Sequence, residues 1–397
     1  LVYTIVDGGL FLPRTTPTTL TWNANSGTWA VKTGHAESLW SSSTTDSNYY
    51  DGDTAVFIKS ADVTLSGALK PKAVTVSHAG GTVLFSGGGS ITGATSLTKT
   101  GAGTLDISTA NTYTGGTTIA AGTLIARSSS ALGTGGVTMR GGELDMANNT
   151  LSNDITVSGN VTLSRAGSYG GKLTLSSGSL SGDTIRLSKT ATLAGGSVKA
   201  ALSGQGGVSV SGNVSMSGAS SYTGNTVLNS AKLTIGNNKA TGRGQVSNSG
   251  TSTMTIQDGI AWELHSPISN SGTLTIIGAL DASNMEGIIA PGPTYSKGGN
   301  NGFQISSSHS IKVVEGTGKL YANATVWYGD VEMELQNDGV AFAEGEIDYS
   351  TYYITDGHRA TVSSFKTQVS DDGLTAIYVE NVRMSGGDLS ADRDIAV

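Results

Sequence analysis

The chain has no cysteine, five histidines and 30 acidic residues, so acid–base or metal chemistry would have to come from carboxylates and imidazoles. Two acidic stretches near the C-terminus stand out, Asp371-Asp372-Gly373 and Asp356-Gly357-His358-Arg359. A pair of carboxylates in a lateral groove can hydrolyse a glycan, one as acid and the other as base or nucleophile. Asp51 and Asp53 form a third pair, around Gly52. Each of these is also an ordinary turn sequence, in which a short carboxylate bonds its own backbone. An aspartic peptidase needs two carboxylates that share a proton, but Asp-Thr-Gly and Asp-Ser-Gly are absent, and Asp7-Gly8-Gly9 is no closer than the turns just named. Gly182-Asp183-Thr184 lacks the serine of a Gly-Asp-Ser-Gly nucleophile, and His35, His78, His265, His309 and His358 are too scattered to suggest a triad. Asp46, Asp51 and Asp53 could offer oxygens to calcium, but the twelve-residue loop ending in Glu is missing. No metal and no cofactor is expected.

Aromatic side chains offer a second kind of chemistry, stacking on sugars or on one another. Trp22, Trp29 and Trp40 precede Asp51-Gly-Asp53-Thr-Ala-Val-Phe57. Closing the end of a core is the expected role of this segment, with a sugar platform as the other. Trp327, Tyr352 and Tyr353 lie in a tract of different character. Residues 301–397 hold 15 acidic residues against 6 Lys and Arg, a balance of −9, whereas residues 1–300 hold 15 against 17, a balance of +2. Pro291-Gly-Pro293 and Gly298-Gly-Asn-Asn-Gly302 mark the transition. The expected organisation is an N-terminal β cap over 1–60, a repeat region over 61–290 and an acidic, Tyr-rich β module over 291–397.

The overall charge is −7, with no basic stripe, which argues against nucleic acid as a partner. No run of about 18 apolar residues occurs, so no helical membrane span is expected. The chain starts at Leu1 without a basic-then-apolar leader, as expected of a mature or trimmed chain.

The elements that must position these groups are short strands. Leu105-Asp-Ile107, Ile155-Thr-Val157, Leu173-Thr-Leu175 and Leu233-Thr-Ile235 alternate apolar and polar residues, the period of a half-buried strand, and glycines supply the turns. Leu105 is expected to face inward and Asp106 outward, where its removal should matter little. Residues 105–137 align without gaps onto 214–246: Tyr113-Thr-Gly115 falls on Tyr222-Thr-Gly224, Leu124 on Leu233 and Val137 on Val246. Self-similarity of this kind points to a solenoid. A closed jelly roll or sandwich would also be built of short strands.

Leu97-Thr-Lys-Thr-Gly-Ala-Gly-Thr-Leu105, followed by Asn111-Thr-Tyr-Thr-Gly-Gly-Thr-Thr118 and Ala121-Gly-Thr-Leu124, resembles the autotransporter-associated β-strand repeat of bacterial surface and secreted passenger domains. The second copy keeps Ser221-Tyr-Thr-Gly224 but not the Lys-Thr-Gly-Ala-Gly lead. The resemblance implies a right-handed parallel β-helix with an aromatic N-terminal cap and a C-terminal β-rich module, at the bacterial surface or outside the cell. The resemblance says little of activity; the repeat, the Thr/Ser/Gly-rich surface and the absence of a convergent catalytic set lead to the expectation of adhesion to a glycoprotein or glycan of a host or neighbouring cell. A secreted, Asp-dependent hydrolase of extracellular glycoproteins such as mucins is the alternative, with Asp371, Asp372, Asp51 and Asp53 as its candidates.

Overall fold

In the computed structural model, backbone is described for residues 4–6, 9–11, 16–31, 39–42, 47–257, 259–265, 268–270, 273–277 and 279–281, and for the strand segments 311–313, 320–321, 332–334, 345–354, 358–369 and 375–384. The chain divides into two compact units, Leu1–Lys189 and Thr190–Val397. The described residues form strands, turns and bends without a helix, so none is a helix able to cross a membrane.

The first unit winds as a parallel β-solenoid. One stack of strands runs through Thr19–Trp22, Thr54–Phe57, Ala73–Ser77, Ser96–Thr100 and Thr117–Ile119, each bonded in parallel to the next. It continues through the first parts of Val137–Asp145 and Ile155–Ser164 to Leu173–Leu175. A second stack climbs beside it through Ser26–Trp29, Ala61–Leu65, Thr82–Ser86, Thr104–Ile107 and Thr123–Ala126. Each strand within a stack, other than those at its ends, therefore finds its partners one coil above and one below, and few side chains are needed to satisfy the backbone.

Register aligns like with like. Val83, Leu105, Leu124 and Leu144 stack inward at successive coils, and each is fully buried. On the outer face of the other stack, Thr75, Thr98, Thr118, Thr138, Thr156 and Thr174 form one column. Threonine suits this position because its branched Cβ fits the pleat while its hydroxyl keeps the surface wet.

The N-terminal end of this unit is closed by aromatic rings. Trp40 pairs antiparallel with Trp22, edge-on at a ring-centroid distance of 4.9 Å. Trp29 meets Tyr49 at 5.3 Å and Trp40 at 5.4 Å, and Phe57 and Phe85, 5.1 Å apart, carry the cluster into the coils.

In the second unit, Ala191–Leu193, Val208–Val210, Thr226–Leu228, Val246–Asn248 and Ile268–Asn270 stack in parallel. Beside them run Gly196–Val198, Asn213–Met216, Lys232–Ile235, Thr251–Ile256 and Thr273–Ile277. Further along the same chain, Gly345–Ile354, His358–Val369 and Thr375–Met384 form an antiparallel meander.

The sequence copy is a structural copy. Tyr113 and Tyr222 are both fully buried, and their hydroxyls meet Thr117 Oγ1 at 2.7 Å and Thr226 Oγ1 at 2.6 Å. Gly133 and Gly242 follow with φ of +60° and +66°. A Cβ there would lie 2.3 Å from Tyr113 O and 2.5 Å from Tyr222 O, so each turn needs glycine.

Candidate functional site

Asp51 and Asp53 are brought together, but as caps on the backbone. Asp51 Oδ1 accepts from Lys70 N at 2.9 Å. Asp53, buried, accepts from Thr18 N at 2.8 Å and Tyr50 N at 2.9 Å. Above them burial drives the Tyr49 phenol far beyond its ordinary range, reinforced by the charges of Asp51 and Asp53. Trp22, Trp29 and Trp40 are 1%, 0% and 6% exposed, their faces occupied by one another and by Tyr49 and Phe57. This packing is what an end cap requires, because rings so enclosed offer no face to a dissolved sugar. Asp46, Asp371, Asp372 and Trp327 lie outside the described residues. So do the side chains of Tyr352 and Tyr353, whose backbone belongs to the strand Gly345–Ile354.

Asp106 does not stand free on the surface as its phase suggested. It is 7% exposed, flanked in register by Leu84 and Ile125, and Arg127, one coil on, donates to it from Nε at 2.7 and 2.9 Å and from Nη2 at 2.6 Å. Arg165 repeats the arrangement on Asp145 through Nε at 2.8 Å and a second bond from Nη2. The Arg165 backbone N–H in turn donates to Asp183 at 2.7 Å. Asp106, Arg127, Asp145, Arg165 and Asp183 thus place one charge of alternating sign on each successive coil. The facing carboxylates raise both guanidinium pKa values. Among the described residues, no group of three or more His, Cys, Asp or Glu could hold a metal ion.

The coil of Lys99 and Asn111 carries polar groups inside the solenoid. Asn111 Oδ1 accepts from Ile91 N and its Nδ2 donates to Ala131 O, both at 2.8 Å. Ser220, its counterpart in the second copy, accepts from Leu202 N at 3.2 Å. Lys99 is 0% exposed, and burial lowers its pKa to about 8. It lies two residues beyond buried Leu97, so the period of the strand itself puts it inside. Trp262, also enclosed, donates Nε1 to Thr241 Oγ1 at 2.8 Å. Neither Lys99 nor Trp262 stands out in the sequence, where no charge pattern or aromatic cluster marks them.

An open lateral groove of about 500 Å³ lies on the second unit. Asn213, Lys232 and Thr253 form one outward column, and Ser215, Thr234 and Thr255 form the next. Side-chain hydroxyls, one amide and one exposed ammonium therefore surround a floor provided by the strands. Such a surface offers many hydrogen-bonding groups and a single positive charge, without a nucleophile and base in contact.

The family model of the passenger-associated-transport-repeat matches residues 97–126. No curated protein and no solved structure matches the chain. The matched segment spans the Lys99, Asn111 and Tyr113 coil and the strand Thr123–Ala126 stacked on it. The parallel coils and this matched repeat together support an autotransporter-passenger-type repeat protein.

Proposed function

We propose that the chain is the displayed part of a secreted or surface-bound passenger protein, and that it adheres to extracellular glycans bearing an acidic group. The observation that carries this is the groove of Asn213, Ser215, Lys232, Thr234, Thr253 and Thr255. Its hydroxyls and amide suit the donors and acceptors of a saccharide, and Lys232 suits a carboxylate or sulfate. The passenger-associated repeat supports display outside the cell.

Glycan-array binding of the full chain, followed by affinity measurement, tests the proposal. Acidic glycans should be retained over neutral ones. Lys232→Glu should weaken binding about tenfold or more, the effect of roughly 1.4 kcal/mol at one charged contact. Thr234→Trp, which fills the groove from an outward position, should abolish it. Unchanged glycan binding by both variants would refute the groove as the site.

A further inference from the structure

Two turns at the corner between the strand stacks of the first unit are longer than their neighbours. Residues 77–82 lead from Val76 to Val83 and residues 100–104 from Lys99 to Leu105, whereas 120–123 and 140–143 suffice for the next two coils. A longer turn brings more carbonyl groups to the corner, where water or a side chain must satisfy them. In both long turns a buried side chain does so. His78 Nε2 lies 3.1 Å from Gly81 O. Lys99 donates to Thr100 O and Gly101 O at 2.8 Å and, across to the next coil, to Ala121 O at 3.1 Å.

The Lys99 cluster has the form of an ion site. Three backbone oxygens converge on one ammonium, and none of these three partners is a carboxylate. Gly122 leaves room for it: a Cβ there would sit 2.6 Å from Lys99 Nζ and 2.4 Å from both Gly101 O and Gly103 O. Lys99 stands in register with Val76 below and Ile119 above, so its stem occupies an apolar slot and only its head reaches the oxygens. The second copy shows the complementary case. There the strand ends on buried Val210, the turn is only residues 211–213, and no cation is present.

We propose that the carbonyls of Thr100, Gly101 and Ala121 form a monovalent-cation site of ammonium size, and that Lys99 is its built-in occupant. The tethered ammonium spans two coils and gives the long turn the charge that a bound ion would otherwise supply.

Chemical rescue in the full chain tests this. Lys99→Ala vacates head and stem, while Lys99→Met refills the stem without charge. Thermal melts and hydrogen exchange at residues 100–104 would be followed in ammonium chloride and in tetramethylammonium chloride of equal ionic strength. Lys99→Ala should recover stability in ammonium only. At ten times the dissociation constant the folding equilibrium of the coil should shift roughly tenfold, and Lys99→Met should show no ammonium-specific gain. Equal responses to the two salts, or a Lys99→Met protein as stable as the parent, would overturn the proposal. The parent protein gives an independent measurement should the variants not fold. With ¹⁵N-lysine labelling, one ammonium signal should exchange far more slowly than the others and disappear in Lys99→Arg. If every lysine ammonium exchanges at the solvated rate, the site does not exist.

Discussion

Removing either member of the Asp106–Arg127 pair breaks the same bonds, yet the two substitutions should differ in cost. The Asp106 side chain is 9% exposed and that of Arg127 47%. Arg127→Ala leaves a largely buried carboxylate without three close donor contacts, and a charged hydrogen bond lost in this way costs about 1.5–3 kcal/mol. Asp106→Ala leaves a guanidinium already half in water, which re-solvates at about 0–1 kcal/mol once screening is allowed for. The double variant should resemble Asp106→Ala, since no charge remains to strand. Because coils in a repeat protein interact chiefly with their neighbours, a global midpoint would dilute the difference. Hydrogen exchange at Arg127 N, which bonds Ile107 O at 2.9 Å, reads it locally. Protection should fall roughly 10- to 150-fold for Arg127→Ala and at most about 5-fold for Asp106→Ala, with 1.4 kcal/mol counted as a factor of ten. If Asp106→Ala costs as much as Arg127→Ala, then burial of the carboxylate does not govern the pair.

Leu105, buried between Val83 and Leu124, should lose about 2–5 kcal/mol as Leu105→Ala and more as Leu105→Asp, measured by urea melts; a loss under about 1 kcal/mol would place it outside the stacked core. Burial raises the phenols of Tyr49, Tyr113, Tyr169 and Tyr222 well above their ordinary value. Above about pH 10 the unfolded chain releases phenol protons that the folded chain keeps, so stability is full below that pH and falls above it. The urea midpoint attributable to these phenols should therefore hold up to about pH 10 and then fall. Phenolate absorbance from these tyrosines should appear together with unfolding; its appearance near pH 10 in a folded chain would contradict their burial. Tyr113→Phe removes the buried partner of Thr117 Oγ1 and should cost about 1–3 kcal/mol in thermal melts, whereas Thr226 Oγ1 keeps its bond to Thr241 O at 3.1 Å when Tyr222→Phe removes the phenol, so that variant should cost less; equal costs would show that the Thr241 bond does not compensate.

The parallel coils were legible in the sequence because strand phase is local. Leu105-Asp-Ile107 and its successors alternate with period two, and register between coils then follows from matching inward residues. The repeat of Tyr113 at Tyr222 was legible for the same reason, since the Thr117 and Thr226 partners lie only four residues on. The same phase puts Lys99 inside, but a lysine in a Thr- and Gly-rich stretch carries no sign of the oxygens it meets. Those come from a turn of its own coil and from Ala121, 22 residues away. Asp106 shows the limit most plainly. Its outward phase is correct, yet its environment is set by Arg127, 21 residues on, and only winding the chain brings the two together. The groove of Asn213, Lys232 and Thr253 likewise arises from three separate coils. Sequence determined which residues face in and which face out, because that depends on adjacent backbone geometry. Tertiary structure decided which outward residues become neighbours, because coil length sets what stacks on what.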